Sequence, residues 1–530
     1  MKKTSIPYQQ TGYFSKLITD YIDNKASLQP FYSHQFNIAS FKTIIEERKK
    51  FPVNREVLSN KLLTQYAGIG TPDEVHLNIQ NLKNENCYTV TTGHQLNLFT
   101  GPLYFIYKII TTINLAKALK KAYPQNDFVP VYWMATEDHD YEEVNHFNLF
   151  GKKYELPKTQ TGAIGKMKLE GMDELMDELK QDLSNRNGYE DLLTLFSEHY
   201  TSNNTFTQAT RGLVNDLFGR YGLVTINADD STLKGLFINE IKNELLLKKN
   251  EEIVNATSQK LSDLGYSMQV SPRQVNLFYL SEDIRERIVF ENNRYQVLNT
   301  VIQFNETELI EELTKFPEHF SPNVIMRPLY QEKILPNLAY IGGGGELAYW
   351  FQLKEMFHSN RISFPILVLR SSVLMIDNGS LNKIDKLGFS SADVFQTADE
   401  LTKNYLKQTS PVDLELKDEE LAIAAIYNQL VSKAKIVDPS LEAFVKAELQ
   451  KNIKSLKNIE SRLLKAEKQR EEIVVNQIKN LKDKLFPEGG LQERHDNLFS
   501  ILLFNGKGIV DELVNDLDPF DREFNILTKE

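Results

Sequence analysis

The chain has 530 residues, of which 41% are hydrophobic and 25% are charged, and its formal net charge is −11 at pH 7. This length predicts two to four domains or one core with large insertions, and the composition excludes disorder over the whole chain. The acidic balance argues against general nucleic-acid binding, which requires a basic surface.

The N-terminal segment carries two lysines without a continuous apolar run after them, which is not the pattern of a secretory signal. The sequence also lacks an apolar run of about 18 residues that could span a bilayer. Cys87 is the only cysteine, so an intrachain disulfide is excluded, which fits a reducing compartment. We therefore expect a cytoplasmic protein without a membrane partner, in which Cys87 is a buried structural thiol.

Residues 1 to about 85 alternate helical patterns with short loops. The β-branched run CYTVTT, which starts at Cys87, predicts a strand, residues 103–122 have helical spacing, and residues 128–136 predict a second strand. A strand, loop, helix and strand in this order imply parallel strands joined by a right-handed crossover. The sequence therefore predicts an α/β fold with a parallel-sheet core.

Residues 151 to about 320 have a mixed pattern that predicts the main insertion into this core. Residues 220–230 predict a strand that enters a turn, and residues 287–298 predict a hairpin about the ENN sequence. The core pattern returns in residues 321–350. Residues 362–377 form an apolar run that predicts a single strand buried on both faces.

Helix formers dominate from about residue 390, and residues 440–486 contain neither proline nor glycine. This predicts an uninterrupted helix of some 45 residues, roughly 70 Å long. Apolar residues recur about every 3.6 positions between 449 and 485, as in a straight amphipathic helix. With predicted helices at about 391–408 and 417–437, this helix would form a coiled-coil-like arm. Since such an arm leaves apolar surface exposed, we expect a homodimer.

A glycine-containing loop, TTGHQLNLFTGPLYFIYK, begins at Thr91 within the first predicted core strand and runs on past it. Gly93 and Gly101 permit positive φ and close backbone approach, and the next helix offers free amides to an anion. The pattern is neither G-x-G-x-x-G nor G-x-x-x-x-G-K-[ST], so it supports neither a dinucleotide site nor a P-loop. A substrate-binding loop and a tight structural turn both stay open.

Four polar residues, Glu137, Asp138, His139 and Asp140, come directly after the second predicted core strand. In open parallel sheets the ligand crevice lies at the carboxyl ends of the strands, so these side chains would point into it. They could supply a general base and hold an amine or hydroxyls. The alternative is a solvated loop with a helix cap at Asp138 or Asp140.

The same segment permits a metal-dependent hydrolase as an alternative. His139, Glu142 or Glu143, and His146 would share one helix face and offer two imidazoles and a carboxylate. The sequence is not H-E-x-x-H, and its histidines are seven apart rather than four. We therefore expect no metal ion at this place.

A third cluster contains four consecutive glycines, residues 342–345, followed by Glu346. Ordering four glycines carries a large entropic cost, which indicates that backbone approaches a ligand or another backbone closely. Arg327 could form a bidentate pair with a carboxylate, and Arg273 is a weaker candidate of the same type. A structural salt bridge is an equally good interpretation for each arginine.

Five long segments, in order along nearly the whole chain, resemble the bacillithiol biosynthesis cysteine-adding enzymes, the BshC family. They are TGHQLNLFTGPLYFIYK, VYWMATEDHDYEEVNH, SPRQVNLFY, RPLYQEKILPNLAYIGGGGELAYW and EGGLQERHDNLFSIL. The resemblance implies a Rossmann-like core, related to class I synthetase folds, with a C-terminal coiled-coil domain used in dimerisation. The expected domains are a core at 1–389 with its insertion at about 151–320, an arm at 390–486, and a segment at 487–530 that packs back on the core.

The resemblance also implies a function, in which L-cysteine is joined to the free amine of glucosaminyl malate in the last step of bacillithiol synthesis. Class I synthetases carry a two-histidine H-x-G-H loop, whereas this loop has one histidine, His94. This difference argues against ordinary adenylation by ATP and favours substrate binding for His94. The source of carboxyl activation, and whether a nucleotide binds, stay open. A non-enzymatic scaffold built on the arm is a further alternative.

The expected site joins these clusters around the two substrates. Asp138 or His139 would take a proton from the attacking amine. Glu137, which is counted with them as catalytic, Asp140 or Glu346 would position the amine or the cysteine ammonium. The other expected residues would bind substrate: Gly93, His94, Asn97, Gly101, Lys108, Asp140, Arg273, Arg327, Gly343, Gly344 and Glu346.

Overall fold

The computed structural model describes residues 1–157 and 160–529. The chain divides into two compact units. The first comprises Met1 and residues 7–374 and 492–525, and the second comprises residues 2–6, 375–491 and those from 526 onward. The first unit therefore includes a C-terminal stretch that follows the second unit in sequence.

The strands of the described residues vary from two to eight residues in length. They are β1 (Lys2–Pro7), β2 (Cys87–His94), β3 (Asp127–Met134), β4 (His146–Leu149), β5 (Lys152–Glu155), β6 (Val224–Asn227), β7 (Leu277–Leu280), β8 (Arg285–Glu291), β9 (Arg294–Val297), β10 (Gln303–Phe304), β11 (Phe320–Pro322), β12 (Asn337–Gly342), β13 (Ile366–Leu369), β14 (Val373–Ile376) and β15 (Glu523–Thr528).

The α-helices of the described residues precede, connect and follow these strands. They are α1 (Tyr8–Thr11), α2 (Lys16–Ile22), α3 (Ser40–Arg48), α4 (Arg55–Gln65), α5 (Asp73–Asn81), α6 (Tyr104–Ala122), α7 (Tyr141–Val144), α8 (Met172–Leu183), α9 (Tyr189–Ser197), α10 (Phe206–Phe218), α11 (Ser231–Gly235), α12 (Ile238–Leu247), α13 (Asn250–Asp263), α14 (Glu306–Lys315), α15 (Arg327–Ile334), α16 (Gly344–Trp350), α17 (Lys354–Ser359), α18 (Asn378–Lys386), α19 (Ala398–Thr409), α20 (Lys417–Val437), α21 (Leu441–Arg470), α22 (Glu472–Leu485), α23 (Leu498–Asn505) and α24 (Ile509–Asp516).

The central sheet of the first unit is parallel, with the order β13-β12-β2-β3-β6. In this sheet, β3 and then β6 lie on one side of β2. The strands that come later in the chain, β12 and then β13, lie on its other side. The strand order therefore reverses between β2 and β12, which is where open parallel sheets bind ligands. The predicted α/β class with a parallel-sheet core is confirmed.

Both faces of this sheet are covered, and two hydrophobic clusters identify them. The face that contains Val131 and Trp133 belongs to the larger cluster, and we call it the Trp133 face. The opposite face contains Val90 and packs against Leu115 and Leu119 of α6, and we call it the α6 face. Because neighbouring residues of a strand point to opposite faces, position in the strand decides which face a side chain joins.

Cys87 begins β2 and is fully buried among the residues of the Trp133 face. Burial raises the pKa of its thiol to about 12. The thiolate, which is the nucleophilic form, is therefore suppressed, and packing accounts for this residue.

A five-stranded sheet, β10-β9-β8-β7-β11, belongs to the region predicted as an insertion. Its strands β8 and β9 form the predicted hairpin, with Glu291 opposite Arg294. Asn292 and Asn293 have φ values of 50° and 60°, as a two-residue hairpin turn with positive φ at both positions requires. This hairpin prediction is confirmed.

The single strand predicted over 362–377 is wrong. The apolar run forms two strands, β13 and β14, which belong to different sheets. Between them the chain leaves the central sheet, and its backbone groups find other partners. The amide of Ser371 donates to Thr111 Oγ1 at 3.0 Å, and the amide of Val373 donates to Glu493 Oε2 at 2.9 Å.

The second unit is mainly helical, and α20 packs along α21. The uninterrupted helix predicted between residues 439 and 487 is wrong, because α21 ends at Arg470 and α22 begins at Glu472. Glu471 between them has a ψ of 29°, outside the α-helical range. Strands β1, β15 and β14 form a three-stranded sheet in that order. Across the described residues, no helix combines the length and apolar character that a membrane span needs.

Candidate active site

A cavity of about 700 Å³ lies in the first unit at the carboxyl edge of the central sheet. The ends of β2, β3 and β12 contribute to its wall, and so does the β7–β8 hairpin of the insertion. This volume is within the range of small-molecule sites, and the cavity lies at the reversal of strand order. It is therefore the candidate active site.

The cavity is lined mainly by cationic ionisable groups, although the whole chain is acidic. Three carboxylates line it, from Glu137, Asp138 and Glu346. Seven cationic side chains line it: Lys108, Arg273, Arg285, Arg287, Arg327, Arg370 and Arg494. A local excess of positive charge in a chain of net charge −11 indicates an anionic ligand.

Arg327, the first residue of α15, lies on the Trp133 face of the cavity. Its guanidinium donates to Gln331 Oε1 at 3.0 Å and to the Tyr349 hydroxyl at 3.4 Å, and it lies 6.0 Å from the Trp133 ring. Within the described residues it forms no ion pair. Burial opposes its charged form, but Tyr349 and Tyr340 hold the pKa of Arg327 above its ordinary value. It is therefore a partly buried cation without a counter-ion among the described residues.

Lys108 of α6 and Glu346 of α16 form an ion pair that joins the two glycine-containing loops. Lys108 Nζ also donates to the carbonyl oxygen of Gly93 at 2.8 Å, and Glu346 Oε2 accepts from the amide of Gly343 at 2.9 Å. Burial lowers the pKa of Lys108. It would raise that of Glu346, but the charge of Lys108 holds the pKa of Glu346 below its ordinary value. Both residues line the cavity, and together they hold its two loops side by side.

The four glycines at 342–345 do not have positive φ, so space rather than backbone conformation explains them. A Cβ at Gly345 would meet nothing within 4 Å, and this residue lines the cavity together with Gly343. A Cβ at Gly344 would come within 3.3 Å of Ile18, and Gly344 is not part of the lining. Gly345 therefore leaves open volume at the edge of the sheet, whereas Gly344 allows a close approach to Ile18.

Glu137 lines the cavity and pairs with a buried lysine. The Nζ atom of Lys234 lies 2.5 Å from Glu137 Oε1 and 3.2 Å from Asp229 Oδ1, and it donates to the carbonyl oxygen of Glu318 at 3.1 Å. Burial raises the pKa of Glu137, while the charge of Lys234 opposes the shift. Glu137 is therefore a stronger base than an exposed glutamate.

Asp138 accepts two hydrogen bonds at the cavity wall, from Gln95 Nε2 and from the amide of His139, both at 2.8 Å. Burial would raise its pKa, but the hydrogen bonds from His139 and Gln95 and the charge of Arg285 hold the pKa of Asp138 well below its usual range. Asp138 therefore stays ionised and is a weak base.

His139 accepts a hydrogen bond from Arg285 through Nδ1, at 2.7 Å. Since a guanidinium can only donate, the neutral imidazole carries its proton on Nε2. His139 is exposed and is not part of the cavity lining.

Three predicted substrate-binding residues besides Gly344 lie outside the lining. Asn97 donates to the carbonyl oxygen of Glu143 at 2.9 Å. Gly101 has a φ of 61°, and its carbonyl oxygen accepts from Asn497 at 2.8 Å. Asp140 is exposed and precedes α7. Asn97 and Gly101 therefore shape the turn behind the cavity wall, whereas Gly93, His94 and Arg273 do line the cavity.

The helix face proposed for a metal site does not exist. Helix α7 spans four residues and ends at Val144, and His146 begins β4. Glu143 accepts instead from Gln95 at 2.7 Å, and His146 contacts Asn145. Among the described residues, the ligand atoms that cluster closely enough for a metal are those of Glu198, His199 and Asp216, far along the chain from this segment.

Several residues of the cavity, and one beside it, were not predicted from the sequence. Asp229 does not line the cavity but pairs with Lys234, the partner of Glu137. It follows β6 as Glu137 follows β3, so its position after a strand end could have indicated it. Arg370 follows β13 in the same way, but it was hidden inside the strand predicted over 362–377. Arg285 and Arg494 had no sequence signal that distinguished them from other arginines.

Two family models together match nearly the whole chain. The model described as "Bacillithiol biosynthesis BshC, N-terminal Rossmann-like domain" matches residues 1–371. The model described as "Bacillithiol biosynthesis BshC, C-terminal coiled-coil domain" matches residues 373–529.

Curated relatives agree with these matches over their full length. A protein of Flavobacterium johnsoniae named "Putative cysteine ligase BshC" is 44% identical, with 100% of both chains covered. One of Flavobacterium psychrophilum with the same name is 43% identical, with 99% of both chains covered, and one of Bacillus anthracis is 28% identical, with 97% of both covered.

Proposed function

The chain belongs to the bacillithiol biosynthesis BshC family, and from this membership we propose that it joins L-cysteine to the free amine of glucosaminyl malate, forming an amide. It is a ligase of the carbon–nitrogen bond-forming kind. The observation that carries the proposal is the partly buried guanidinium of Arg327, which lies among other cationic groups of the cavity and forms no ion pair with the described residues. A dicarboxylate such as the malate group would supply the missing negative charge.

The Trp133 face of the cavity suits a sugar that carries a malate group. Arg327 and Arg273 bind the malate carboxylates, and the backbone at Gly93 and Gly343 lies beside the sugar. Trp133, Tyr340 and Tyr349 also line the cavity and offer aromatic surface to the sugar ring. The open volume at Gly345 leaves room for a second small substrate.

Glu137 is the general base of this proposal. Amide formation requires the attacking amine to lose a proton, and the acceptor must lie at the cavity surface with a pKa that is not too low. Asp138 fails the second condition and His139 lies outside the cavity lining, so Asp138 is better suited to pair with an ammonium group. The proposed general base is therefore Glu137, and not Asp138 or His139, which were expected from the sequence to accept the proton.

The proposed reaction is tested by incubating the purified protein with glucosaminyl malate and L-cysteine, with and without ATP. We expect the cysteinyl conjugate to be found by mass spectrometry. Product only in the presence of ATP would show that a nucleotide activates the carboxylate, and product without ATP would show another donor. Folded protein that forms no conjugate under either condition would contradict the proposed function.

We also propose that the chain forms a homodimer through its helical arm. Helix α20 has no buried residue, and apolar side chains such as Ile426 and Phe444 are 57% and 61% exposed. A second copy that covers this surface would remove it from water.

Replacing Ile426 and Phe444 together with glutamate should convert the dimer into a monomer, because charge at a buried interface is costly. Sedimentation velocity measures the change. The matched control is Gln429→Glu, at an exposed polar position of α20, the helix that contains Ile426. This variant should stay dimeric. A native chain that sediments as a monomer at high concentration would refute the dimer.

A further inference from the structure

The cationic groups of the cavity lie on both faces of the central sheet. Gly93 and Tyr340 belong to the Trp133 face, since a Cβ at Gly93 would lie 3.2 Å from the Tyr340 hydroxyl and 3.7 Å from Arg327 Nη1. His94 is the next residue along β2, and its ring stacks on Phe105 of α6 at 4.8 Å. The cavity therefore continues around the sheet edge from the Trp133 face to the α6 face.

Arg370 lies on the α6 face too, because it extends the alternation of Ile366 and Val368. Its side chain is 3% exposed and pairs with Glu493 through Nη2 at 2.6 Å. Its Nη1 donates to the carbonyl oxygen of Ser371 and to Ser372 Oγ. Its Nε atom is buried, has no hydrogen-bond partner among the described residues, and would lie 3.8 Å from a Cβ at Gly343, at the cavity wall.

His94 offers a second buried polar atom without a partner. The residue is 8% exposed, and its Nε2 atom has no hydrogen-bond partner within the described residues. Burial, followed by the charges of Lys108 and Arg370, holds the pKa of His94 well below its ordinary value. The ring is therefore neutral at physiological pH, and Nε2 donates a hydrogen bond in the tautomer that carries the proton on this atom.

Tyr104 lies among these groups. The Arg370 guanidinium is 5.3 Å from its ring centroid, the Arg494 guanidinium is 6.0 Å away, and the His94 ring meets it edge-on at 5.2 Å. Arg494 is exposed and forms no ion pair with the described residues. This end of the cavity thus has one uncompensated cation and two unused donors.

We propose that this end is a second oxyanion-binding subsite, formed by Arg370 Nε, His94 Nε2 and Arg494 on the α6 face, and that it binds the phosphate or carboxylate oxyanion of the acyl donor. It is separate from the Arg327 subsite on the Trp133 face. Buried donors without partners cost free energy in the empty protein, and an oxyanion would satisfy both of them. Glucosaminyl malate on the Trp133 face and the acyl donor on the α6 face would then meet at the sheet edge, beside the backbone of Gly93 and Gly343. The proposal rests on the proposed function for the identity of the acyl donor.

Calorimetric titrations with inorganic phosphate and with L-cysteine test the subsite, and L-malate is the probe for the Arg327 subsite. Arg494→Ala should weaken the binding of phosphate or cysteine by about tenfold, because it removes a charge-assisted contact. His94→Phe keeps the stacked ring but removes the Nε2 atom, so it should also weaken the binding of phosphate or cysteine. Both variants should leave malate binding unchanged.

Arg462→Ala is the matched control, since Arg462 is an exposed arginine of the arm that forms no ion pair with any residue the structure describes. Binding of phosphate would identify a phosphate group as the ligand chemistry, and binding of cysteine alone would identify a carboxylate. The subsite is refuted if neither phosphate nor cysteine binds. It is also refuted if Arg494→Ala weakens the binding of malate as much as it weakens the binding of phosphate or cysteine. Conjugate formation is measured separately, so a failed reaction with intact probe binding would contradict the proposed function alone.

Discussion

Replacing Glu137 with glutamine is expected to lower kcat for cysteine addition by about 10²- to 10⁴-fold, the usual contribution of a positioned general base. Glutamine keeps the size of the side chain and a polar contact for Lys234, but it cannot accept the proton of the attacking amine. KM for glucosaminyl malate should change little, because Glu137 is not among the residues proposed to bind malate.

The pH dependence of the reaction provides the second readout. A general base works only when deprotonated, so kcat/KM should rise with pH through the pKa of Glu137. Since burial raises that pKa, the acidic limb should lie at higher pH than for an exposed glutamate. Glu137→Gln should abolish this limb, whereas Asp138→Asn should preserve it.

Glu142→Gln is the matched control for this prediction. Glu142 is an exposed glutamate of α7 that is absent from the cavity lining, and the same substitution there should leave kcat unchanged. Near-native kcat in Glu137→Gln, with conjugate formed at the normal rate, would exclude Glu137 as the base. Loss of kcat in Glu142→Gln would show that the effect is not specific to the site.

Arg327→Met should raise KM for glucosaminyl malate by about 10- to 100-fold, because a charge-assisted contact to a carboxylate contributes about 1.5–3 kcal/mol. Methionine retains much of the apolar stem against Trp133 and Tyr340. Arg327→Lys should recover only part of the affinity, since an ammonium group cannot form the bidentate fork. Steady-state kinetics with glucosaminyl malate as the varied substrate measures both changes.

Thermal unfolding of the same variants separates binding from folding. Arg327 has no carboxylate partner in the described residues, so its removal leaves no buried anion unpaired, and the variant should stay folded. Arg462→Met, in the arm, should not change KM. An unchanged KM in Arg327→Met would place the malate group elsewhere in the cavity.

The sequence predicted the parts of the site that follow core strands. Glu137 and Asp138 come shortly after the end of β3, and Gly343 comes directly after β12. Because ligands bind at the carboxyl ends of parallel strands, these positions predicted that the residues line one site. Asn97 and Gly101 are neighbours of Gly93 in sequence, yet the turn carries them behind the cavity wall. Nearness along the chain was therefore a poor guide once the strand had ended.

Other features needed contacts that no local pattern carries. The apolar run over 362–377 hides the point where the chain leaves one sheet for another, because the polar backbone there is satisfied by Thr111 and Glu493. The long helix is interrupted at Glu471 without proline or glycine. The excess of arginines in the cavity likewise arises from separate segments that the fold brings together.

The ion pair between Arg370 and Glu493 joins residues 123 positions apart in the chain. Proteins are synthesised from the N-terminus, so every strand of the central sheet leaves the ribosome before Glu493 does. Until then Arg370 has no counter-ion, and an unpaired buried charge is strongly destabilising. The nascent chain can therefore form its sheet early but completes the cavity wall only after Glu493 has emerged, and we expect the growing polypeptide to stay inactive until then.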